Sequence, residues 1–273
     1  MPPRVTLVGL PWDASSSFQT GAAGAPARIR QALHSPSSNS WNERGQNALA
    51  PEVFDDAGDV SLGEEATVAR SAIESAISTL IADQRVPIAL GGDHSITYPI
   101  VRGFRVHHDR LTIVHIDAHG DLYDEFDGDR FSHACPFARV MEEGLAARLI
   151  QIGVRTLTSH LRDQIARFGV ETFGMDRWWQ APLESIHGPL YVSIDLDALD
   201  PAFAPGVSHP EPGGLSVRDV VAIIARLPVA PVGADVVEYN PENDLRDLTA
   251  RVAAKLVKEL IGGMSLTNEG MRE

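Results

Sequence analysis

Three short stretches carry acidic and imidazole side chains at spacings that suit a divalent cation: His94; Asp117, His119 and Asp121; and Asp195 with Asp197. Side chains alternate faces along an extended segment, so Asp117, His119 and Asp121 are expected to point one way, as are Asp195 and Asp197. Charges gathered beside an apolar core need a counter-ion, because unpaired burial there costs several kcal/mol. An acidic loop past a strand end would account for the Asp117 segment alone. The same register at three strand ends argues for metal. Four carboxylates and two imidazoles suit two divalent ions roughly 3.5 to 4 Å apart, which polarise substrate and activate water. Oxygen-rich ligation without thiolate favours Mn²⁺, with Fe, Co and Zn also compatible and a structural Zn site disfavoured.

Such ligands need strands to carry them. The apolar runs Val86 to Leu90, Leu111 to Val114 and Leu190 to Ile194 read as buried parallel strands that end just before His94, Asp117 and Asp195. Open α/β sheets bind ligands at such carboxyl ends. Gly91 and Gly92 allow close approach to other backbone, and Ser95 is expected to cap the following helix. Upstream, a strand from Arg4 to Leu10 leads through a loop to a helix opening near Gly24, with Pro26 in its first turn. The tract Ser35 to Asn42 reads as a loop with Trp41 folded onto the body; a short strand at Val53 to Asp56 and a crossover helix from Glu64 to Ala82 follow. Ser216 with Asp219 opens a helix in capping-box fashion, Asp244 to Ile261 forms a closing amphipathic helix, and the tail from Ser265 is expected to fray. Strand and helix signals alternate without a linker, which predicts an α/β protein and one domain over 1–273.

A formal charge of −14 argues against nucleic-acid binding and is compatible with a cationic substrate. The apolar runs are too short for a bilayer, and no leader is visible, so a cytoplasmic protein without membrane partners is expected. Cys135 is the single cysteine, which excludes internal disulfides and fits a reducing compartment. It lies near His133, yet no orienting partner for a Cys/His hydrolase is visible, so its thiol is read as a bystander. His107 and His108 are expected to be solvated, and Trp178 and Trp179 to pack against the body. No P-loop, dinucleotide fingerprint, nucleophile-elbow serine or zincin motif is present.

Gly91-Gly92-Asp93-His94-Ser95, Asp117-Ala118-His119-Gly120-Asp121 and the run from Ser193-Ile194-Asp195-Leu196-Asp197 to Gly206 resemble, in order, the three signatures of the ureohydrolases, the arginase and agmatinase family. Ser132-His133-Ala134, Val207 to Ser216 and Asp235 to Pro241 resemble the plant branch more than the animal one. The resemblance implies a three-layer α/β/α sandwich on a mainly parallel sheet, two Mn²⁺ per chain, and a homo-oligomer, trimer or hexamer. It makes His94, Asp117, Asp121 and Asp195 ligands of one ion, and Asp117, His119, Asp195 and Asp197 ligands of the other. It also implies catalytic roles for His133, Asp121 and Glu238: His133 as proton shuttle, Glu238 as the carboxylate that receives the guanidinium. The chemistry agrees. A guanidinium is a poor electrophile, and a metal-bridging hydroxide is a strong nucleophile at neutral pH. A carboxylate can accept two N–H donors of the planar guanidinium side by side.

Substrate choice is expected to lie in the loop Leu122 to Ser132, which joins a ligand to the shuttle histidine. Tyr123, Asp129, Ser132 and Thr158 are the candidate substrate-binding residues. Gly120 and Asp129 depart from the plant pattern, and Thr158 stands where animal arginases carry an aspartate. These departures leave room for arginine or Nω-hydroxyarginine, cleaved to ornithine and urea or hydroxyurea, the latter as in a branch of antibiotic biosynthesis that makes D-cycloserine. An agmatinase or guanidino-acid hydrolase is the alternative within the family. A catalytically silent metal-binding protein on the same scaffold is the alternative outside it.

Overall fold

The apolar runs become eight strands of one sheet: β1 (Arg4–Leu10), β2 (Phe54–Asp59), β3 (Arg85–Gly91), β4 (Leu111–Ile116), β5 (Ala146–Ile152), β6 (Glu171–Phe173), β7 (Leu190–Asp195) and β8 (Gly233–Val237). The structure, a computed structural model, describes residues 4–265. Strand order is β2-β1-β3-β8-β7-β4-β5-β6, and every pairing is parallel. Parallel neighbours cannot be joined by hairpins, so helices make most of the crossovers. They are α1 (Ala25–Leu33), α2 (Ala66–Ala82), α3 (Thr97–Phe104), α4 (Pro136–Glu142), α5 (Ser159–Phe168), α6 (Val217–Ala225) and α7 (Leu248–Met264).

Alternation along the strands sorts apolar side chains into two cores. Val5 and Leu7 of β1 pack in one core with Ile29 of α1 and Val257 of α7; Val8 and Leu10 pack in the other with Ile73 of α2 and Phe104 of α3. Fully burying each such side chain contributes about 1.5–3 kcal/mol. The result is the expected three-layer α/β/α sandwich, with a sheet that is parallel throughout. Gly92 lies where the first loop crosses β3, and a Cβ there would sit 1.6 Å from the Trp12 carbonyl oxygen. Close approach is what demands this glycine.

Several local expectations need correction. Trp41 does not fold onto the body and is 52% exposed. Its loop is fixed by polar contacts instead: Asn42 Oδ1 accepts from the Arg44 and Gln46 amides, and Lys258 donates to the Asn39 carbonyl at 2.8 Å. Trp178 packs against the core while Trp179 is 53% exposed. His108 is half-buried with its ring 6.0 Å from that of Phe104, whereas His107 is exposed. The closing helix starts at Leu248, four residues late, because Asp244 Oδ1 accepts from the Thr249 amide and so acts outside the helix. Ser216 and Asp219 form the reciprocal capping box that opens α6. Ser265 is bonded back to Ile261, and the rest of the tail lies outside the described residues. Among the described residues no helix is long and apolar enough to cross a membrane.

Candidate metal centre

β3, β8, β7 and β4 are consecutive in the sheet, so their carboxyl ends converge although their residues are far apart in sequence. The Asp117 segment reaches the site differently from the expected alternation. β4 ends at Ile116, and Asp121 arrives through a turn with φ +46°, so a bend of the chain rather than a continued strand brings it beside Asp117. Glu238, just past β8, has φ +63°. Left-handed backbone at a non-glycine residue costs roughly 1–2 kcal/mol, and the fold sustains it at two residues that face the same centre.

The ligand atoms fall into two groups that share Asp117. His94 Nδ1 lies 3.3 Å from Asp117 Oδ2, 2.9 Å from Asp121 Oδ2 and 3.1 Å from Asp195 Oδ2. His119 Nδ1 lies 3.4 Å from Asp117 Oδ1 and 3.1 Å from Asp197 Oδ2. Asp195 turns its other oxygen to the Asp197 amide at 2.8 Å. His94 Nδ1 is buried and makes no hydrogen bond although three carboxylates ring it. Its Nε2 lies 2.9 Å from Ser193 Oγ, which itself donates to Asp235 Oδ1 at 2.6 Å. One proton therefore sits on Nε2, and Nδ1 is the atom that faces the carboxylates. Burial opposes a second proton, but Asp117, Asp121 and Asp195 raise the His94 pKa well above its ordinary value: the carboxylates call for positive charge at Nδ1, which a divalent cation would supply in place of a proton. Burial, then the charges of Asp197 and Asp117, push Asp195 well above the usual carboxylate range, and burial raises Asp197 to about 6 despite the neighbouring His119. Divalent cations would relieve both effects. The donor set fits two such ions.

One step down the strands runs a buried polar row in register, Asp235, Ser193, His115 and Gln151 on β8, β7, β4 and β5. It fixes the groups above it. Gln151 donates to His115 Nδ1 at 3.1 Å, so His115 donates from Nε2 to Asp117 Oδ2 at 2.6 Å. Tyr191 and Thr97 donate to Asp235 at 2.7 and 2.8 Å. No role had been given to His115, Ser193 or Asp235 in sequence, yet alternation was a usable signal: His115 and Ser193 stand two residues before Asp117 and Asp195.

Beside the metal groups, His133 Nδ1 lies 2.9 Å from Glu238 Oε1 and its Nε2 lies 2.8 Å from Ser17 Oγ. Burial lowers the pKa of His133, but the Glu238 charge and hydrogen bond outweigh it and raise the value to about 9. Asp93, not Ser95, caps the turn at His94, with Oδ1 accepting from the Ser95 amide. Its Oδ2 accepts from the Ser15 amide at 2.9 Å and anchors the first loop. A cavity of about 280 Å³ opens over the site and includes Tyr123, Thr158, Ser17, His209 and Glu211 in its lining. Of the candidate substrate residues, Tyr123 and Thr158 meet there, their oxygens 3.3 Å apart. The structure does not bring Asp129 or Ser132 to the cavity. Asp129 is exposed and gives Oδ1 to the Phe131 amide at 2.8 Å, because Phe126 to Asp129 form a tight turn with left-handed Asp127 and Gly128; Ser132 is buried, its Oγ 3.4 Å from the Ala134 amide.

A parallel sheet that carries this donor set at the carboxyl ends of its central strands defines a metal-binding α/β protein. Residues 3–262 match the model of the arginase family. Over 277 residues the chain is 46% identical to a mitochondrial arginase of Medicago truncatula, covering 95% of this chain and 82% of that one. An agmatinase of Halalkalibacterium halodurans is 33% identical over 95% of this chain and 92% of its own. The solved structure of an arginase from Medicago truncatula superimposes with a TM-score of 0.90 at 43% identity, covering 96% of this chain and 88% of that chain. The chain thus belongs to the arginase family, metal-dependent hydrolases of guanidino C–N bonds.

Proposed function

We propose that the chain cleaves the guanidino group of arginine or Nω-hydroxyarginine, giving ornithine and urea or hydroxyurea, with two Mn²⁺ held by His94, Asp117, Asp121 and Asp195 and by Asp117, His119, Asp195 and Asp197. The observation that carries this reading is the Glu238–His133 pair, 2.9 Å apart, at the rim of the two ligand groups. Bound divalent ions supply charge neutralisation and water of lowered pKa. The protein's own residues do the rest. Glu238 Oε1 is engaged by the His94 amide at 2.8 Å and by His133, which leaves Oε2 for the guanidinium. His133 delivers a proton to the nitrogen that leaves as the ornithine amine when the C–N bond breaks. Tyr123 and Thr158 offer hydroxyls to the far end of the substrate.

One observation favours a second reading, an agmatinase. No Lys or Arg is among the described residues lining the cavity, while Glu211 is, so an α-carboxylate would find hydroxyls but no cation there. Cys135 is buried and has no second cysteine to pair with, which is compatible with the cytoplasmic location proposed. The family resemblance supports a homo-oligomer, trimer or hexamer.

Purified protein is expected to carry close to two metals per chain, to lose activity to chelator and to regain it best with Mn²⁺. Urea release with arginine, Nω-hydroxyarginine and agmatine decides the substrate: the first two should have the higher kcat/KM. Agmatine ahead of both would promote the second reading. A single tightly held Zn²⁺ with no response to Mn²⁺ would sink the two-metal reading, and no turnover of any guanidine by fully loaded protein would leave a silent scaffold.

A further inference from the structure

Beside the two ligand groups lies a cluster of different character. His133, from the loop before α4, His209, from the loop between β7 and α6, and Glu238, after β8, each offer one ligand atom, and these atoms lie within 4.8 Å of one another. The His133 and His209 ring centroids are 5.0 Å apart, and His209 is held by packing, its ring edge-on to Phe18 at 5.9 Å. Ser17 Oγ, 2.8 Å from His133 Nε2, fixes which nitrogen faces Glu238.

We propose that His133, His209 and Glu238 form a third cation site that takes Zn²⁺ in preference to Mn²⁺. The donor chemistry sets the preference. The group around His94 offers three carboxylates with its imidazole, and the group around His119 two carboxylates with one, which suits a hard ion. The third cluster offers two imidazoles and one carboxylate, the donor set of an open zinc site, and because all three residues line the cavity its fourth position faces water. Zn²⁺ binding displaces the proton shared between His133 Nδ1 and Glu238 and releases it to solvent. An occupied site blocks the carboxylate assigned to the guanidinium, so Zn²⁺ inhibits competitively with substrate. That consequence rests on the guanidine-hydrolysis reading; the site itself does not.

The test uses full-length protein loaded with Mn²⁺, freed of excess metal and titrated with Zn²⁺. Metal analysis after gel filtration should find the two Mn²⁺ retained and one Zn²⁺ gained per chain, and Co²⁺ in place of Zn²⁺ should give the visible absorption of a tetrahedral site. His209→Ala and, as a milder change, His209→Gln should each hold two Mn²⁺ but no third ion. Their inhibition constant for Zn²⁺ should rise about tenfold or more. One-for-one replacement of Mn²⁺ by Zn²⁺, or a third equivalent indifferent to both variants, would overturn the site. Metal stoichiometry decides it even if no guanidine is hydrolysed, an outcome that would remove only the inhibition and the function reading.

Discussion

Asp117→Asn is expected to lower kcat/KM for guanidine hydrolysis by about 10³-fold or more, roughly 4 kcal/mol of transition-state stabilisation, and to leave the protein with fewer than one metal per chain. The size follows from geometry. Asp117 is the carboxylate whose two oxygens face different histidines, Oδ2 toward His94 and Oδ1 toward His119, so its loss weakens both groups together. Asparagine also has one acceptor oxygen where Asp117 uses two, one for His115 Nε2 and one for the His119 amide, each at 2.6 Å. Asp195→Asn should follow closely, because Oδ2 faces His94 while Oδ1 orients the Asp197 amide. Asp197→Asn should be mildest and retain one ion, since its Oδ2 faces His119 alone among the two ligand histidines. Urea kinetics and metal analysis on the three variants check the order. Equal losses at all three positions would argue against Asp117 as the shared ligand.

Replacing His133 by Asn should depress kcat by roughly 10²-fold or more while metal content stays at the wild-type level, because it removes a proton donor and no ligand of the two Mn²⁺. The penalty should be smaller with Nω-hydroxyarginine, whose lower pKa reduces the need for acid assistance. A matching effect is expected on stability. His133 has a folded pKa raised to about 9 against an ordinary value of 6.5, so its pairing with Glu238 stabilises the fold fully below pH 6.5 and loses that effect as pH rises through 9. Glu238 stays charged over this window, since burial, which opposes its ionisation, is outweighed by His133 and its pKa is lowered. In metal-free protein, urea melts of wild type and His133→Asn should differ by about 2–3 kcal/mol more at pH 6 than at pH 10. A gap that does not narrow with pH would show that Glu238 does not hold the imidazolium.

The strands and the three ligand-bearing segments were legible because each rests on a local pattern: an apolar run of strand length, then an acidic or imidazole residue where it stops. What alternation misdescribed is the approach of Asp121, whose left-handed turn has no signature in Gly120-Asp121. The row of Asp235, Ser193, His115 and Gln151 was hidden for another reason. Each residue looks like an isolated polar interruption in its own strand, and only the register across four strands joins them into a support. His209 and Ser17 were invisible because loops far apart in sequence bring them to the cavity. Asp129 and Ser132 were assigned from their place in a loop, and the tight turn at Asp127-Gly128 points that loop's polar groups back to its own backbone.

The order β3-β8-β7 has a consequence for biosynthesis. β3 and β7 are not hydrogen-bonded to each other, and the half-sheet β2-β1-β3 meets the half-sheet β7-β4-β5-β6 only through β8, the last strand in chain order. His94 and Asp195 therefore belong to different halves until β8 slots between them. A nascent chain halted on the ribosome before β8 emerges has every ligand of the two ions, and its β4–β7 pair already gathers Asp117, His119, Asp195 and Asp197, but His94 joins them only when β8 is in place, so the group around His94 waits for the closing strand.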